Sequence, residues 1–263
     1  MTAPLLDAAR LGVVRAGRPV LDLEGIVLRA GEILAVVGAN GAGKSTLLAA
    51  LAGLVPCEGE VRLGGAPLAA LSAGARAKRI GWLAQRGGAV WPLTIMEIVA
   101  LGRLPHGRTI EHFTATDHAA LARALALTGL EGLSERRFDT LSGGERARAL
   151  VARALAVEAD LLLVDEPVAA LDPYHQIAVM GALKVEAARG AGVIAVLHDM
   201  TLAARFADRV LVLREGRATA FGPPREALTA AALARAFGID FLTGENEGEP
   251  WALPWALPLA VTG

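Results

Sequence analysis

Cysteine is nearly missing from this 263-residue chain: the single Cys57 cannot form an internal disulfide, which fits a reducing compartment, and it reads as a small apolar filler. Aromatic residues make up only 4%, with one tyrosine, Tyr174. Lysine is scarce, at Lys44, Lys78 and Lys184 among 26 basic residues. Excess charge of either sign is absent, since 26 Lys+Arg against 27 Asp+Glu leave a formal net charge of −1. No basic field therefore exists to hold a phosphate backbone without sequence preference, and nucleic acid is not expected as a partner. Long apolar runs are lacking too. The mean hydropathy of +0.45 is high, yet uncharged stretches such as Ser45–Cys57 stop after about 13 residues, short of the roughly 20 that a spanning helix needs. The start, Met1–Asp7, carries neither a basic nor a long apolar region, so a cleaved secretion signal is not expected. Repeats of solenoid length are absent.

What is present is alternation. Short apolar runs ending in Gly, Gln, Asp or His alternate with longer Ala/Leu/Arg stretches of helical character, the pattern of an α/β layer protein with a mostly parallel sheet. Strands are predicted at Ile33–Val37, Ile80–Ala84, Leu161–Val164 and Val193–Leu197, each ending just before a polar or glycine residue: Gly38, Gln85, Asp165 and His198. Ligands of open α/β sheets bind beyond the carboxyl ends of strands, so the four endings point to one shared site. The first thirty residues and Glu60–Gly64 read as shorter β elements forming an antiparallel edge or subdomain. Arg209–Gly222 reads as a hairpin turning at Arg214-Glu215-Gly216. From Trp91 to Leu141 no strand pattern appears, and Thr94, Thr114 and Thr128 sit at helix boundaries of a helical insertion. The tail repeats Trp-Ala-Leu-Pro at Trp251–Pro254 and Trp255–Pro258, where the prolines forbid regular helix and leave a terminal strand, a disordered end or a partner-binding tail.

Gly38-Ala39-Asn40-Gly41-Ala42-Gly43-Lys44-Ser45 satisfies GxxxxGK[ST] between an apolar strand and the helix-like run from Thr46. Such a loop wraps backbone N–H groups around phosphate oxygens at a helix N-terminus, while Lys44 reaches the β- and γ-phosphates and Ser45 can hold Mg²⁺. Asp165 and Glu166 stand at the mouth of another strand. Asp165 suits a Mg²⁺ partner, and Glu166 is placed to orient or deprotonate an attacking water. About twenty residues earlier, Leu141-Ser142-Gly143-Gly144-Glu145 has capping-box spacing, with glycines that let N–H groups approach an anion.

These three segments together resemble the ATP-binding cassette (ABC) ATPases over nearly the whole chain. The resemblance implies a P-loop NTPase (RecA-like) α/β core with an antiparallel β subdomain and an inserted α-helical subdomain. Within one domain, residues 1–90 and 160–240 would be core plus β subdomain, 91–159 the helical subdomain and 241–263 the tail. It implies ATP and Mg²⁺ as ligands, with Gly38–Thr46 cradling phosphate and Ser45, Gln85 and Asp165 around the metal. Glu166, His198 and Gln85 would be catalytic, Gln85 as the Q-loop glutamine and His198 as the switch histidine. Asp172 lies in a D-loop, and Ser142, Gly143 and Gly144 complete the site of a second copy in a head-to-tail homodimer. Ala100–His106 and His198–Arg209 are most similar to importer subunits for iron-siderophores, haem and cobalamin. Those work with integral membrane permeases and, indirectly, a periplasmic binding protein, so the chain would be peripheral on the cytoplasmic face of the plasma membrane. The stretch from Gln85 to Arg103 is expected to face the permease.

The chain departs from the family pattern in two places. No aromatic stands near Arg15, where relatives carry one that stacks on adenine; a guanidinium stack by Arg15 with Val13 beside it would replace it. Val168-Ala169 and Ala147 replace common polar residues without removing a catalytic group. His106, His112 and His118 recur every six residues, about 240° around a helix, and would not share a face for zinc. Trp82 and Trp91 are read either as core or as lining a groove for the permease's coupling helix. A phosphotransferase would account for the P-loop and acids but not for Ser142–Gly144 or His198, whereas an ABC ATPase without a membrane partner, or one driving an exporter, would account for all of them.

Overall fold

The computed structural model describes residues 3–85, 92–107 and 109–257. Its centre is a six-stranded sheet in the order β10-β9-β3-β8-β7-β6. Strands β3 (Ile33–Gly38), β6 (Ile80–Leu83), β7 (Leu161–Asp165), β8 (Gly192–Val196) and β9 (Arg209–Arg214) run parallel, and β10 (Arg217–Gly222) returns antiparallel on the edge. The near-continuous apolar runs follow from burial on both faces. Their period of two divides them cleanly: Ile33, Ala35, Val37, Val193 and Ala195 enter one core, while Leu34, Val36, Ile194 and Val196 enter the other.

The second core lies between this sheet, α1 (Lys44–Leu51) and a four-stranded antiparallel sheet in the order β2-β1-β4-β5. Here β1 spans Leu6–Arg15, β2 Arg18–Leu28, β4 Glu58–Leu63 and β5 Ala66–Pro67. β1 and β2 are longer than the expected short elements, at 10 and 11 residues, because they pair with each other along almost their whole length. With one face solvated they alternate apolar and polar residues, which hides their extent in the sequence.

The first core is capped by helices: α3 (Ile95–Ala100), α4 (Ala115–Leu127), α5 (Gly143–Leu155), α6 (Pro173–Ala188) and α7 (Met200–Phe206). A short α2 (Ala73–Arg79) precedes β6. Thr94 and Thr114 each form a capping box, with Glu97 and Asp117, and Thr128 ends α4. Two buried arginines brace this layer. Arg103 donates to Asp117 Oδ1 at 2.9 Å and to the Ala156 carbonyl at 2.9 Å, tying the turn after α3 to α4 and to the end of α5. Arg148 donates to the Thr128 carbonyl at 2.8 Å. Arg103 therefore points inward, at 4% exposure, and not toward a partner as its sequence context suggested.

His106, His112 and His118 lie on three separate elements, the last on α4, so the single-helix premise behind their spacing does not hold. Beyond β10, α8 (Pro224–Ala227) and α9 (Ala230–Phe237) lead to a hairpin of β11 (Asp240–Asn246) and β12 (Glu249–Ala256), which gives the proline-rich tail regular strand pairing. It is fastened to α7 through Thr201 and Ala252, whose hydroxyl and carbonyl lie 3.1 Å apart, and through Arg205 and Glu249 at 2.6 Å. Among the described residues no helix is long and apolar enough to cross a membrane.

Candidate active site

The loop between β3 and α1 has backbone demands that only glycine meets. A Cβ at Gly38, where φ is +156°, would come within 2.3 Å of the Leu213 carbonyl oxygen; one at Gly43, at φ +98°, would come within 2.9 Å of the Val20 oxygen. The loop is thus pressed against β2 and β9. The Gly216 N–H donates to the Ala42 carbonyl at 3.0 Å, and the Asp22 N–H to Gly216 at 2.8 Å, so the β9–β10 turn locks the loop to the antiparallel sheet.

A cleft of about 340 Å³ opens here, lined by Val20, Asn40, Gly41, Gly43–Thr46, Gln85 and Glu166. Gln85 and Glu166 are brought to the P-loop by the parallel pairing of β6 with β7 and of β7 with β8, which aligns the strand ends. Sequence reading missed Val20: nothing in its local pattern tells that β2 folds back over the loop.

Lys44 is buried, and its Nζ donates to the carbonyls of Gly38 at 2.7 Å and Ala39 at 3.0 Å. Burial pulls its pKa below the ordinary lysine value, and the carboxylates of Glu166 and Asp165 work against that fall. Asp165, 3% exposed, has its pKa raised by burial, opposed by a hydrogen bond with Ser45. Its Oδ1 is buried without a protein partner.

An orphaned carboxylate oxygen beside a serine hydroxyl is the donor set of a hard cation. Among the described residues no group of three or more His, Cys, Asp or Glu could cage a metal. One carboxylate completed by water and substrate phosphates is how Mg²⁺ is usually held, so the residues fit that ion.

Glu166 follows directly. Its Oε1 accepts from Gln85 Nε2 at 2.6 Å and lies 2.6 Å from His198 Nε2, a pairing that a carboxylate makes with the ring nitrogen carrying the hydrogen. Burial raises its carboxyl pKa, but the hydrogen bonds from His198 and Gln85 together outweigh this and hold it below the ordinary value. Its backbone is left-handed, at φ +53°, a conformation that costs a non-glycine residue about 1–2 kcal/mol. The Glu166 N–H is tied to the Val196 carbonyl at 3.2 Å, which helps to impose that turn. Such outliers gather where surrounding structure fixes a side chain for use.

Ser142–Gly144 and Asp172 stand outside this cleft. Ser142 caps α5, its Oγ accepting from the Glu145 N–H at 3.2 Å while its own N–H donates to Glu145 Oε2 at 2.8 Å. Ser142 and Gly143 are exposed, and a Cβ on Gly144 would lie 3.4 Å from the Leu171 side chain, so this segment abuts the turn leading to Asp172. Asp172 caps α6 through the His175 N–H at 2.9 Å. Arg15 is exposed at the β1–β2 turn, but Val13 is buried and cannot lie beside a base there; Val14, 58% exposed, is the apolar neighbour that faces out. Trp91 lies outside the described residues, and Trp82 is half-buried against the second core while also lining a surface groove.

Residues 25–169 match the family model described as ABC transporter. The chain is 47% identical to the hemin import ATP-binding protein HmuV of Streptomyces coelicolor over 237 residues, covering 89% of this chain and 83% of that protein. It is 42% identical to the cobalamin import ATP-binding protein BtuD of Halobacterium salinarum, covering 92% of this chain and 61% of that one. Among solved structures, an inward-facing ABC transporter described as of metal-chelate type superposes with a TM-score of 0.81 at 28% identity, covering 98% of this chain and 99% of that one. A dimeric ATP-binding cassette bound to ADP and phosphate superposes with a TM-score of 0.70 at 26% identity, covering 84% and 99%.

Proposed function

This chain belongs to the ABC transporter family, and from that premise we propose that it is the ATP-hydrolysing subunit of an importer whose cargo is a metal chelate: haem, cobalamin or an iron-siderophore. The observation that carries the catalytic reading is the double hydrogen bond onto Glu166 Oε1 from Gln85 and His198 at the mouth of the P-loop cleft. With Oε1 held by two donors, Oε2 is the oxygen left to take a proton from water, and the carboxyl is ionised at neutral pH because its pKa is lowered. Lys44 exchanges the loop carbonyls for β- and γ-phosphate oxygens, and the N–H groups of Gly41 and Gly43–Ser45 bind the remaining anionic oxygens. Ser45 and Asp165 would hold Mg²⁺, which supplies charge neutralisation across the phosphates. His198 releases Glu166 to contact the γ-phosphate, and Gln85 reports occupancy of the site toward the membrane partner.

The exposed, locally capped Ser142–Gly144 segment supports a head-to-tail homodimer in which it and Asp172 meet nucleotide held by the other copy. Residues 1–90 and 160–240 act as catalytic core plus β subdomain, 91–159 as the helical subdomain and 241–263 as a tail. The chain works from the cytoplasmic face of the plasma membrane, peripheral to a permease that receives cargo from a periplasmic binding protein.

The test is reconstitution of the chain with the membrane protein that co-purifies with it, in vesicles offered haem, cobalamin or a ferric siderophore. ATP-dependent uptake of one of these is expected. Release of cargo from the other side, or ATPase activity tied to nucleic acid instead, would overturn the reading.

A further inference from the structure

The doubled Trp-Ala-Leu-Pro segment has no place in the catalytic reading, and the hairpin that holds it is apolar on both faces. One face is used: Phe241 and Ala252 are buried in the first core. The other is open. Leu253, Trp255 and Leu257 follow one another at every second residue of β12 and its extension, and Leu242 stands directly across from Leu253. These four side chains are between 41% (Leu242) and 78% (Leu257) exposed. Large apolar groups set side by side in water mark a surface that something covers. The contact is made by this face and not by the strand edge: along the side of β12 away from β11, Pro250 and Pro254 carry no N–H, and the Ala252 N–H is taken by Thr201 Oγ1 at 3.4 Å.

Two ties fix where the strip lies. β12 runs against α7 in the reverse sense, with Glu249 bound to Arg205 near the end of the helix and Ala252 bound to Thr201 in its first turn. Continued at about 3.3 Å per residue, the strand carries Trp255 about 10 Å past Ala252, and so beyond the α7 N-cap Asp199, to the end where His198 stands. The second tie is Arg214, the last residue of β9, which donates to the Arg235 carbonyl of α9. Its neighbour Leu213 pairs with Gly38, so Arg214 is level with the start of the P-loop. Shortly after Arg235 the chain reaches Asp240, which pairs with Ala256. Both ties therefore put Leu253–Leu257 at the rim of the face that carries the nucleotide cleft, the face that a second copy covers in the homodimer proposed above.

We infer that the strip is a contact between two copies of this chain, each strip packing on its counterpart and holding the pair together when no ATP is bound. The inference rests on the head-to-tail homodimer reading and adds to it a point of attachment that does not need nucleotide. The strip is continuous with the face that the second copy covers. Its four side chains carry no charge, so an identical strip is its complement, as the self-complementary contact of a two-fold pair requires. Trp255 is the expected anchor, since tryptophan is among the residues that dominate such contacts. Copies held by their rims meet at a raised effective concentration, so ATP closes the pair at a lower protein concentration than separate chains would need.

The experiment uses the full chain, comparing the wild-type strip with the double substitution Trp255→Ser and Leu257→Ser, first without nucleotide and then in a Glu166→Gln background with ATP and Mg²⁺. Both side chains are exposed, so the melting temperature of dilute protein and its affinity for ATP should be unchanged. Sedimentation over a concentration series should show the nucleotide-free wild type entering a dimer, and the double variant doing so at least about tenfold less readily, the usual loss when a central tryptophan is cut from an interface. With ATP and Mg²⁺ the Glu166→Gln chain should dimerise with either strip, the substituted one needing several-fold more protein. Trp255→Cys should give a disulfide-linked dimer when oxidised with copper phenanthroline in the absence of nucleotide, whereas wild type, whose Cys57 is half-buried, should not. Equal self-association of wild type and double variant, with no cross-link through Trp255→Cys, would overturn the inference while ATP-driven dimerisation stands. So would binding of the nucleotide-free wild type, as a monomer, to vesicles of phosphatidylethanolamine and phosphatidylglycerol that the double variant fails to bind, since lipid would then be the occupant. Failure of the Glu166→Gln chain to dimerise with ATP whichever strip it carries would overturn the homodimer reading, and this inference with it.

Discussion

The loop at Gly38–Thr46 and the helix start at Ser142–Gly144 both offer backbone N–H groups to an anion, yet they are built in opposite ways. Around the loop the polar groups are buried and the glycine backbone is held from outside its own segment: Lys44 is 6% and Asp165 3% exposed, and strands β2 and β9 press on the glycines. At Ser142 the residues are exposed and held by their own first helical turn, through the reciprocal bonds with Glu145. A buried cradle fixes its geometry before anything binds. An exposed cap is finished by whatever arrives. Substitutions in the first should disturb chemistry and stability together, and substitutions in the second can be chosen to disturb chemistry alone.

The largest effect should come from Glu166→Gln. Turnover with the partner present should drop roughly 10²- to 10⁴-fold, the worth of a general base, while ATP binding persists. Phosphate release measured beside nucleotide titration checks this, and near-normal turnover would remove Glu166 from its proposed role.

Ser142 gives the next largest and the sharpest contrast. Aspartate is as good an N-cap as serine, so Ser142→Asp should leave the melting temperature close to wild type. Its charge would oppose a triphosphate, so hydrolysis and ATP-driven dimerisation should fall at least about tenfold, the reverse of the roughly 1.5–3 kcal/mol of a favourable charged hydrogen bond. Ser142→Ala should do the opposite, costing about 1 kcal/mol of stability with a milder loss of turnover. Equal activity for all three chains would break the comparison.

Asp165→Asn probes the buried side. The folded-state pKa of Asp165 is raised by burial, so the native chain binds more protons than the unfolded chain between the ordinary carboxylate range and that raised value. Stability of the wild type therefore falls as pH rises through this window, and its ionised form carries the cost at neutral pH. The neutral variant should be more stable than wild type near pH 7 by on the order of 1 kcal/mol, with the gap closing as the medium is acidified. Thermal melts of both chains from about pH 8 to about pH 4 test the sign. Its Mg²⁺-dependent hydrolysis should be lost.

The smallest effect is expected at Arg15, on the rim that neither construction covers. If its guanidinium lies over adenine, Arg15→Ala should weaken ATP binding several-fold and Arg15→Tyr should preserve or tighten it, since stacking on a base is worth about 1–3 kcal/mol in single-stranded nucleic-acid sites. Unchanged affinity in both would put the base elsewhere.

The same contrast explains which parts of the fold are legible in the sequence. Core strands β3, β6, β7 and β8 begin and end within a residue of where their apolar runs do, because burial on both faces leaves no polar position to confuse the pattern. Thr94, Thr114 and Ser142 were legible because a cap and its acid lie three residues apart. Contacts made across the chain left no such trace. Arg103 and Arg153 look alike in sequence, yet one is locked to Asp117 and to the end of α5, and the other has no hydrogen bond or ion pair among the described residues. Likewise Val13 and Val14 are adjacent valines, and only the register of β1 decides that the second faces water.

Lys44 is the wrong residue to replace in making an inert version of this chain. Its ammonium already bridges the carbonyls of Gly38 and Ala39, so it serves as an internal cross-brace of the loop as well as a reaching cation. Replacing it with alanine would remove both at once, leaving two carbonyls to find other donors and the loop free to re-fold. A chain altered in that way is a poor blank control, because differences in its folding, partner binding or susceptibility to protease would be confounded with loss of nucleotide. Glu166→Gln keeps the brace in place, and is the cleaner way to silence the protein.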